Sequence, residues 1–158
     1  MIQFRRRKEQ KTNYKKRLAM LRSGLPRVVI RKSLYSISLS VVKYNPKGDE
    51  TVLGLTSKAL KKYGYTGACD TTPAGYLVGL LAGVKMKKQG IKEAVADIGL
   101  SSSTKGNCLY AVIKGLNEAG VKVNADEEMF PDDNRVKGGH MARKPNFDET
   151  KQKILGER

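Results

Sequence analysis

Cationic charge is concentrated at one end of this chain: residues 1 to 32 carry 12 Lys+Arg and a single acid, Glu9, whereas residues 33 to 158 carry 19 Lys+Arg against 14 acids. A segment so charged and so poor in apolar residues contributes little to a core, so a fold has to be built from the residues after Pro26. The full 158 residues are enough for one domain with a modest core. Residues 1 to 32 supply +11 of the formal +16. Net charge on this scale does not choose a fold, but it selects polyanionic partners, of which RNA, DNA and anionic membrane are the usual ones.

Several classes are disfavoured at once. Met1 to Lys16 lacks the apolar run of a signal peptide, and the longest apolar stretch, Pro73 to Val84, has 12 residues, against the roughly 20 that cross a bilayer. Cys69 and Cys108 stand 39 apart with no CxxC motif, which suggests neither a zinc ribbon nor a disulfide framework and fits a reducing cytoplasm. They read as small buried residues.

Within the arm, Thr12 is placed to cap a short helix from Asn13 to Ser23 ended by Gly24, with Tyr14, Leu18 and Leu21 on one side and cations on the other. Such a helix is marginal alone in water and is expected to be only partly ordered until something supports it. After Pro26 the period changes to two. Arg27 to Lys32 reads as one strand, Tyr35 to Tyr44 as a second with alternating serines, and Thr51 to Thr56 as a third, an antiparallel meander. Thr72-Pro73 looks like a cap followed by Pro at the first helical position, opening a helix to about Gln89 with Ala74, Leu77, Val78 and Leu81 as its buried stripe. Gly75, Gly79 and Gly83 form a ridge suited to close packing against a sheet. A strand at Ala94 to Ile98 and a helix at Asn107 to Ala119 come next. The expected class is therefore α/β, a three-stranded antiparallel meander followed by helix, strand and helix, the fourth strand pairing parallel to one of the first three. Three regions result: a basic arm at 1–26, an α/β core at 27–123, and an extended tail at 124–158 with mixed charge and few apolar residues.

The arm is the sharpest functional candidate. Arg5, Arg6, Arg7, Lys8, Lys11, Lys15, Lys16, Arg17, Arg22, Arg27, Arg31 and Lys32 suit phosphate oxygens, and Phe4 and Tyr14 suit base stacking. Gly99 to Gly106 resembles a phosphate loop but lacks the Walker order, because Lys105 precedes Gly106; hydroxyls, Lys105 and helix-terminal amides remain as a generic phosphate contact. Asp70, Glu93 and Asp97 invite a two-metal nuclease reading, yet Glu93 and Asp97 would stand about 13 Å apart on a strand, too far to share an ion. His140 is the only histidine and sits in the tail, a poor place for a catalytic relay. No metal site or cofactor is expected. A membrane-surface role ranks last, with only three apolar anchors in the arm helix.

The run from Thr12 through Tyr14-Lys15-Lys16-Arg17 to Ser33, with Thr72-Pro73-Ala74, Asp97-Ile98-Gly99-Leu100, Ser103-Thr104-Lys105-Gly106 and Arg135-x-x-Gly138-x-His140-Met141-Ala142, resembles the large-subunit ribosomal protein eighteen family in its archaeal form, over nearly residues 12 to 142. The resemblance implies a ribonuclease-H-like topology without that enzyme's carboxylate site, no catalysis, and a cytoplasmic place in the large ribosomal subunit. It further implies binding to 5S rRNA, attaching it to 23S rRNA in the central protuberance beside large-subunit ribosomal protein five. The contacts carried over are Lys11, Thr12, Asn13, Tyr14, Lys15, Lys16, Arg17, Arg22 and Ser23 in the arm, Arg31 and Lys32 on the first strand, Ser103, Thr104 and Lys105 in the loop, and Arg135, Lys137 and His140 in the tail. The chain departs from the family pattern at Ser101-Ser102 and at Cys108, where larger or basic residues are common. A ribonuclease or RNA-processing enzyme on the same fold is the alternative.

Overall fold

The computed structural model describes residues 3–142 and 144–156; Met1, Ile2, Arg143, Glu157 and Arg158, at the start of the arm and within the tail, lie outside the described residues. In chain order the elements are α1 (Arg5–Lys8), α2 (Tyr14–Leu21), β1 (Arg27–Lys32), β2 (Ile37–Lys43), β3 (Glu50–Thr56), a 3-10 helix (Ser57–Tyr63), α3 (Thr72–Lys88), β4 (Glu93–Asp97), α4 (Cys108–Ala119), β5 (Lys122–Val123), a 3-10 turn (Glu127–Met129), α5 (Asp133–Val136) and α6 (Phe147–Leu155). The strands form one mixed sheet in the order β3-β2-β1-β4-β5. Antiparallel pairing joins β1 to β2 and β2 to β3, and parallel pairing joins β1 to β4 and β4 to β5. The α/β class is as expected; the sheet has five strands where four were anticipated, because β5 is two residues long and its sequence carries no period to read.

Alternation gives the sheet two unlike faces. Val28, Ile30, Ile37, Leu39 and Val41 are buried toward the helices, with α3 packed on β2 and β3 and α4 on β1. Arg27, Val29 and Arg31 on β1, with Ser38 and Ser40 on β2, point the other way.

Helix α3 differs from expectation. In place of one apolar stripe, every residue from Thr72 to Val84 is buried, and Met86 as well. It lies at the centre of the molecule, between the sheet, α4, the 3-10 helix, α5 and α6, so an apolar surface all round is what its position requires. The glycine ridge faces α4 and not the sheet: a Cβ on Gly79 would overlap the Val112 carbonyl, one on Gly83 the Ala119 side chain, and one on Gly115 of α4 the Tyr76 carbonyl. Glycines on both helices let the two backbones approach closely. The N-cap position is Thr71 and not Thr72, with Pro73 at the second helical residue.

The expected extended tail is a second correction. Residues 127–129 form the 3-10 turn, α5 packs on α3, and α6 packs on α3 and the 3-10 helix. Phe147, Thr150 and Ile154 form the buried side of α6. Three residues at i, i+3 and i+7 make a stripe too sparse to stand out among so many charges, yet long enough to dock a nine-residue helix. Asn146 ties the entry down, its Oδ1 accepting from the Thr66 amide at 3.0 Å and its Nδ2 donating to the Gly64 carbonyl at 2.6 Å. Tyr76, Glu118 and Lys151 secure the helix from the other side: the Tyr76 hydroxyl donates to Glu118, and Lys151 pairs with Glu118 at 2.6 Å.

Candidate nucleic-acid interface

Helix α1 consists of Arg5, Arg6, Arg7 and Lys8, an element not anticipated from the sequence. Arg5 and Lys11 reach Glu9 at 2.9 and 3.0 Å and hold its carboxyl below the usual carboxylate range. Arg6 Nε donates to Thr12 Oγ1 at 2.8 Å. Thr12 is thus occupied inside the arm, and Asn13 caps α2 in its place, with Oδ1 accepting the Lys16 amide at 3.0 Å. Phe4 and Tyr14 face each other with ring centroids 5.4 Å apart, and Phe4 stays exposed. Ser23 serves the turn into β1, donating to the Met20 carbonyl at 2.8 Å, with Gly24 at φ +66° behind it.

The arm lines one cleft together with Arg27, Val29 and Arg31 of the sheet face that α3 and α4 leave free, and a chain of alternating charges fastens it there. Arg17 reaches Asp49 Oδ2 at 2.7 Å, and Arg27 reaches the same oxygen at 2.5 Å. The other Arg27 nitrogen lies 3.2 Å from Asp97 Oδ2, and Arg31 lies 3.1 Å from Asp97 Oδ1 while donating to the Asp97 carbonyl at 2.6 Å. Three guanidiniums share two carboxylates. Arg27, counted among the phosphate-facing cations from sequence, is 4% exposed and serves instead as the centre of this chain. Around it opens a cleft of about 710 Å³, to which Arg6, Lys11, Lys16, Arg17 and Arg31 contribute. Arg7, Lys8, Lys15, Lys16 and Arg22 form no ion pair among the described residues. They present an unneutralised cationic surface.

Asp97 therefore has no free oxygen to offer a metal: two arginines and the Gly99 amide, at 2.9 Å, occupy it. Among the described residues no cluster of three His, Cys, Asp or Glu is arranged to hold an ion. A carboxylate so placed braces strands β1 and β4.

A second cleft, of about 440 Å³, brings together Lys32, Thr104, Lys105, Arg135 and His140, residues that are far apart in sequence. It lies between the first turns of α3 and α4. Ser103 is turned toward Tyr110, whose hydroxyl it hydrogen-bonds. Lys137 stands apart, on the side of α5 that faces Tyr76 and Lys151.

The arm, β1 to β3, α3 and most of β4 make up the part of the chain that a known family accounts for: the family model described as ribosomal large subunit proteins 60S L5 and 50S L18 matches residues 1–96. The chain belongs to this family. Membership makes it a protein of the large ribosomal subunit, with a structural role set among ribosomal RNA. The Asp97 end of β4, the loop at 99–106 and α4 to α6 lie outside the matched span. No helix among the described residues is long and apolar enough to cross a membrane.

Sequence reasoning passed over Asp49 and gave Arg27 the wrong partner. Arg27, Val29 and Arg31 share one strand face, which the alternation shows; that an acid from the β2–β3 turn would meet them has no local signal.

Proposed function

We propose that this chain binds 5S rRNA and helps attach it to 23S rRNA in the central protuberance of the large subunit, beside large-subunit ribosomal protein five, in the cytoplasm. The carrying observation is the arm: Lys15, Lys16, Arg22, Arg7 and Lys8 are unpaired on a segment whose position is set by the Arg17–Asp49 contact. A cationic surface held at a defined place on a folded domain can match the phosphate pattern of a folded RNA by charge and shape together. Family membership supports the ribosomal setting.

The test is binding of the purified protein to 5S rRNA against tRNA as competitor over a salt series. Selective binding, with log K falling by about 0.7 to 0.9 for each neutralised phosphate per decade of salt, is expected. Equal affinity for the two RNAs would overturn the assignment to 5S rRNA.

A further inference from the structure

Two large side chains at the tip of the β1–β2 hairpin lie outside the core. Leu34 and Tyr35 are 83% and 80% exposed, more than any other large apolar residue among those described. Phe4 rests on Tyr14 and Leu100 lines the arm cleft, whereas the hairpin tip lines neither cleft described above. The turn that carries the pair is braced by its serines. The Ser33 amide and hydroxyl both donate to the Ser36 carbonyl at 2.8 Å, and the Ser36 amide donates back to Ser33 Oγ at 3.1 Å. The amide of Ile37 donates to Ser57 Oγ at 3.0 Å, which ties the hairpin base to the residue after β3. Leu34 and Tyr35 are thus held in place before anything binds them, and little ordering remains to be done. A two-residue connection ordinarily carries Gly, Asn or Asp. Here neither central residue has a positive φ, and nothing in the turn calls for large apolar side chains.

The surroundings are cationic. Residues 28–48 and 51–69, which hold the hairpin and the 3-10 helix beside it, contain no acid. Lys32 at the hairpin base and Lys58 after Ser57 are exposed and enter no ion pair among the described residues. Asp97, at the neighbouring end of β4, is already taken by Arg27 and Arg31. RNA would answer the charge, but it takes flat side chains by stacking, which uses Tyr35 and leaves Leu34 in water. An apolar pocket with an acidic rim buries both and answers the charge as well.

We propose that the hairpin tip docks another protein of the large subunit, inserting Leu34 and Tyr35 into an apolar pocket whose acidic rim faces Lys32 and Lys58. The setting follows from the family to which the chain belongs and does not depend on the proposed binding to 5S rRNA.

The test is competition between the full-length wild type and its variants for large subunits reconstituted from ribosomal RNA and the remaining large-subunit proteins. Leu34→Ser should be taken up about tenfold less well, with its urea midpoint and its affinity for isolated 5S rRNA equal to those of wild type. Lys58→Glu should lose uptake several-fold, since it sets like charges against each other. Tyr35→Leu keeps an apolar side chain but removes the stacking face, and should be taken up better than Leu34→Ser. A diazirine analogue of leucine at position 34 should cross-link to a ribosomal protein, at a peptide in which apolar residues adjoin Asp or Glu. Cross-linking to RNA or to nothing overturns the proposal, as does undiminished uptake of Leu34→Ser or of Lys58→Glu. Loss in Tyr35→Leu with Leu34→Ser unaffected is the pattern of a stacked base and overturns it too. Failure of the chain to prefer 5S rRNA over tRNA would remove the function proposed above and leave these outcomes untouched.

Discussion

Arg27 and Asp97, on β1 and β4, are separated by 70 positions and pair at 3.2 Å on the sheet face turned away from α3 and α4. The contact binds the two central strands where their pairing is parallel, and through the other Arg27 nitrogen it reaches Asp49, which holds Arg17 of the arm. One buried guanidinium thus connects the sheet to the arm, where Arg7, Lys8, Lys15, Lys16 and Arg22 form no ion pair among the described residues. Fold and candidate interface meet at this point.

Replacing Asp97 by Ala leaves Arg27 buried with only Asp49 for a partner. Uncompensated burial of charge costs about 3 to 5 kcal/mol, and a loss toward the lower end is expected because Asp49 remains. Urea unfolding of D97A against wild type measures it. A change below about 1 kcal/mol would mean that Asp49 alone satisfies Arg27.

Gly79→Ala and Gly54→Ala test the helix–helix contact against an internal control. A methyl group on Gly79 meets the Val112 backbone, which cannot yield without separating α3 from α4, whereas one on Gly54 in β3 meets nothing within 4 Å. We expect G79A to lose about 1 to 3 kcal/mol or more and G54A to be neutral or slightly more stable. Thermal melts of the two variants side by side decide the matter, and equal melting temperatures would refute the close approach.

Removal of Lys15, Lys16 and Arg22 as alanines takes away three unpaired cations without touching the Arg17–Asp49 contact. The salt slope of 5S rRNA binding should fall by roughly 2 to 3, with the urea midpoint unchanged. An unaltered slope would place the RNA elsewhere on the surface.

Docking of α6 depends on Phe147, whose ring lies against Tyr76 with centroids 5.4 Å apart. Phe147→Ala should destabilise the fold by about 3 to 5 kcal/mol. Urea unfolding reads the loss; a fully independent tail would give none.

The same helix makes stability depend on pH. Burial works against the ionised form of Glu118, but hydrogen bonds from Lys151 and Tyr76 outweigh it and leave the carboxyl below its usual range. Its contribution to stability is present above the ordinary value of about 4.3 and fades as pH falls through the lower folded value. Lys151 is shifted upward: burial opposes its charge, and the hydrogen bonds with Glu118 and Tyr76 prevail. Its contribution is present below the ordinary lysine range and fades as pH rises through the higher folded value. Tyr76, pushed up to about 12 mainly by burial, stays neutral across this interval. The stability difference between wild type and Glu118→Gln, measured in urea from pH 7 down to pH 3, should shrink in acid. A constant difference would remove Glu118 from the linkage.

Much of the architecture could be read from local pattern. The alternation in Arg27–Lys32 and in the serine-bearing stretch marks β1 and β2, the Thr-Pro entry and apolar run mark α3, and the charge of residues 1–32 marks the arm; each is a repeat of chemistry at the period of one element, written in consecutive residues. The C-terminal helix was missed because Phe147, Thr150 and Ile154, two apolar residues and a threonine among many charges, give a periodic signal only once a groove on α3 is known to receive them.

By itself the sequence determined the class of the fold, the order of its main elements and the sign of its partner's charge, since these depend on composition and short-range spacing. Tertiary structure alone decided that Arg27 would be withdrawn from the exposed cationic surface by Asp49 and Asp97, that the glycines of α3 would meet α4, and that Lys32, Thr72, Lys105 and Arg135 would converge. Those outcomes join residues tens of positions apart. Chain reversals at turns and the packing of one face on another bring them together, and no local spacing encodes such a meeting.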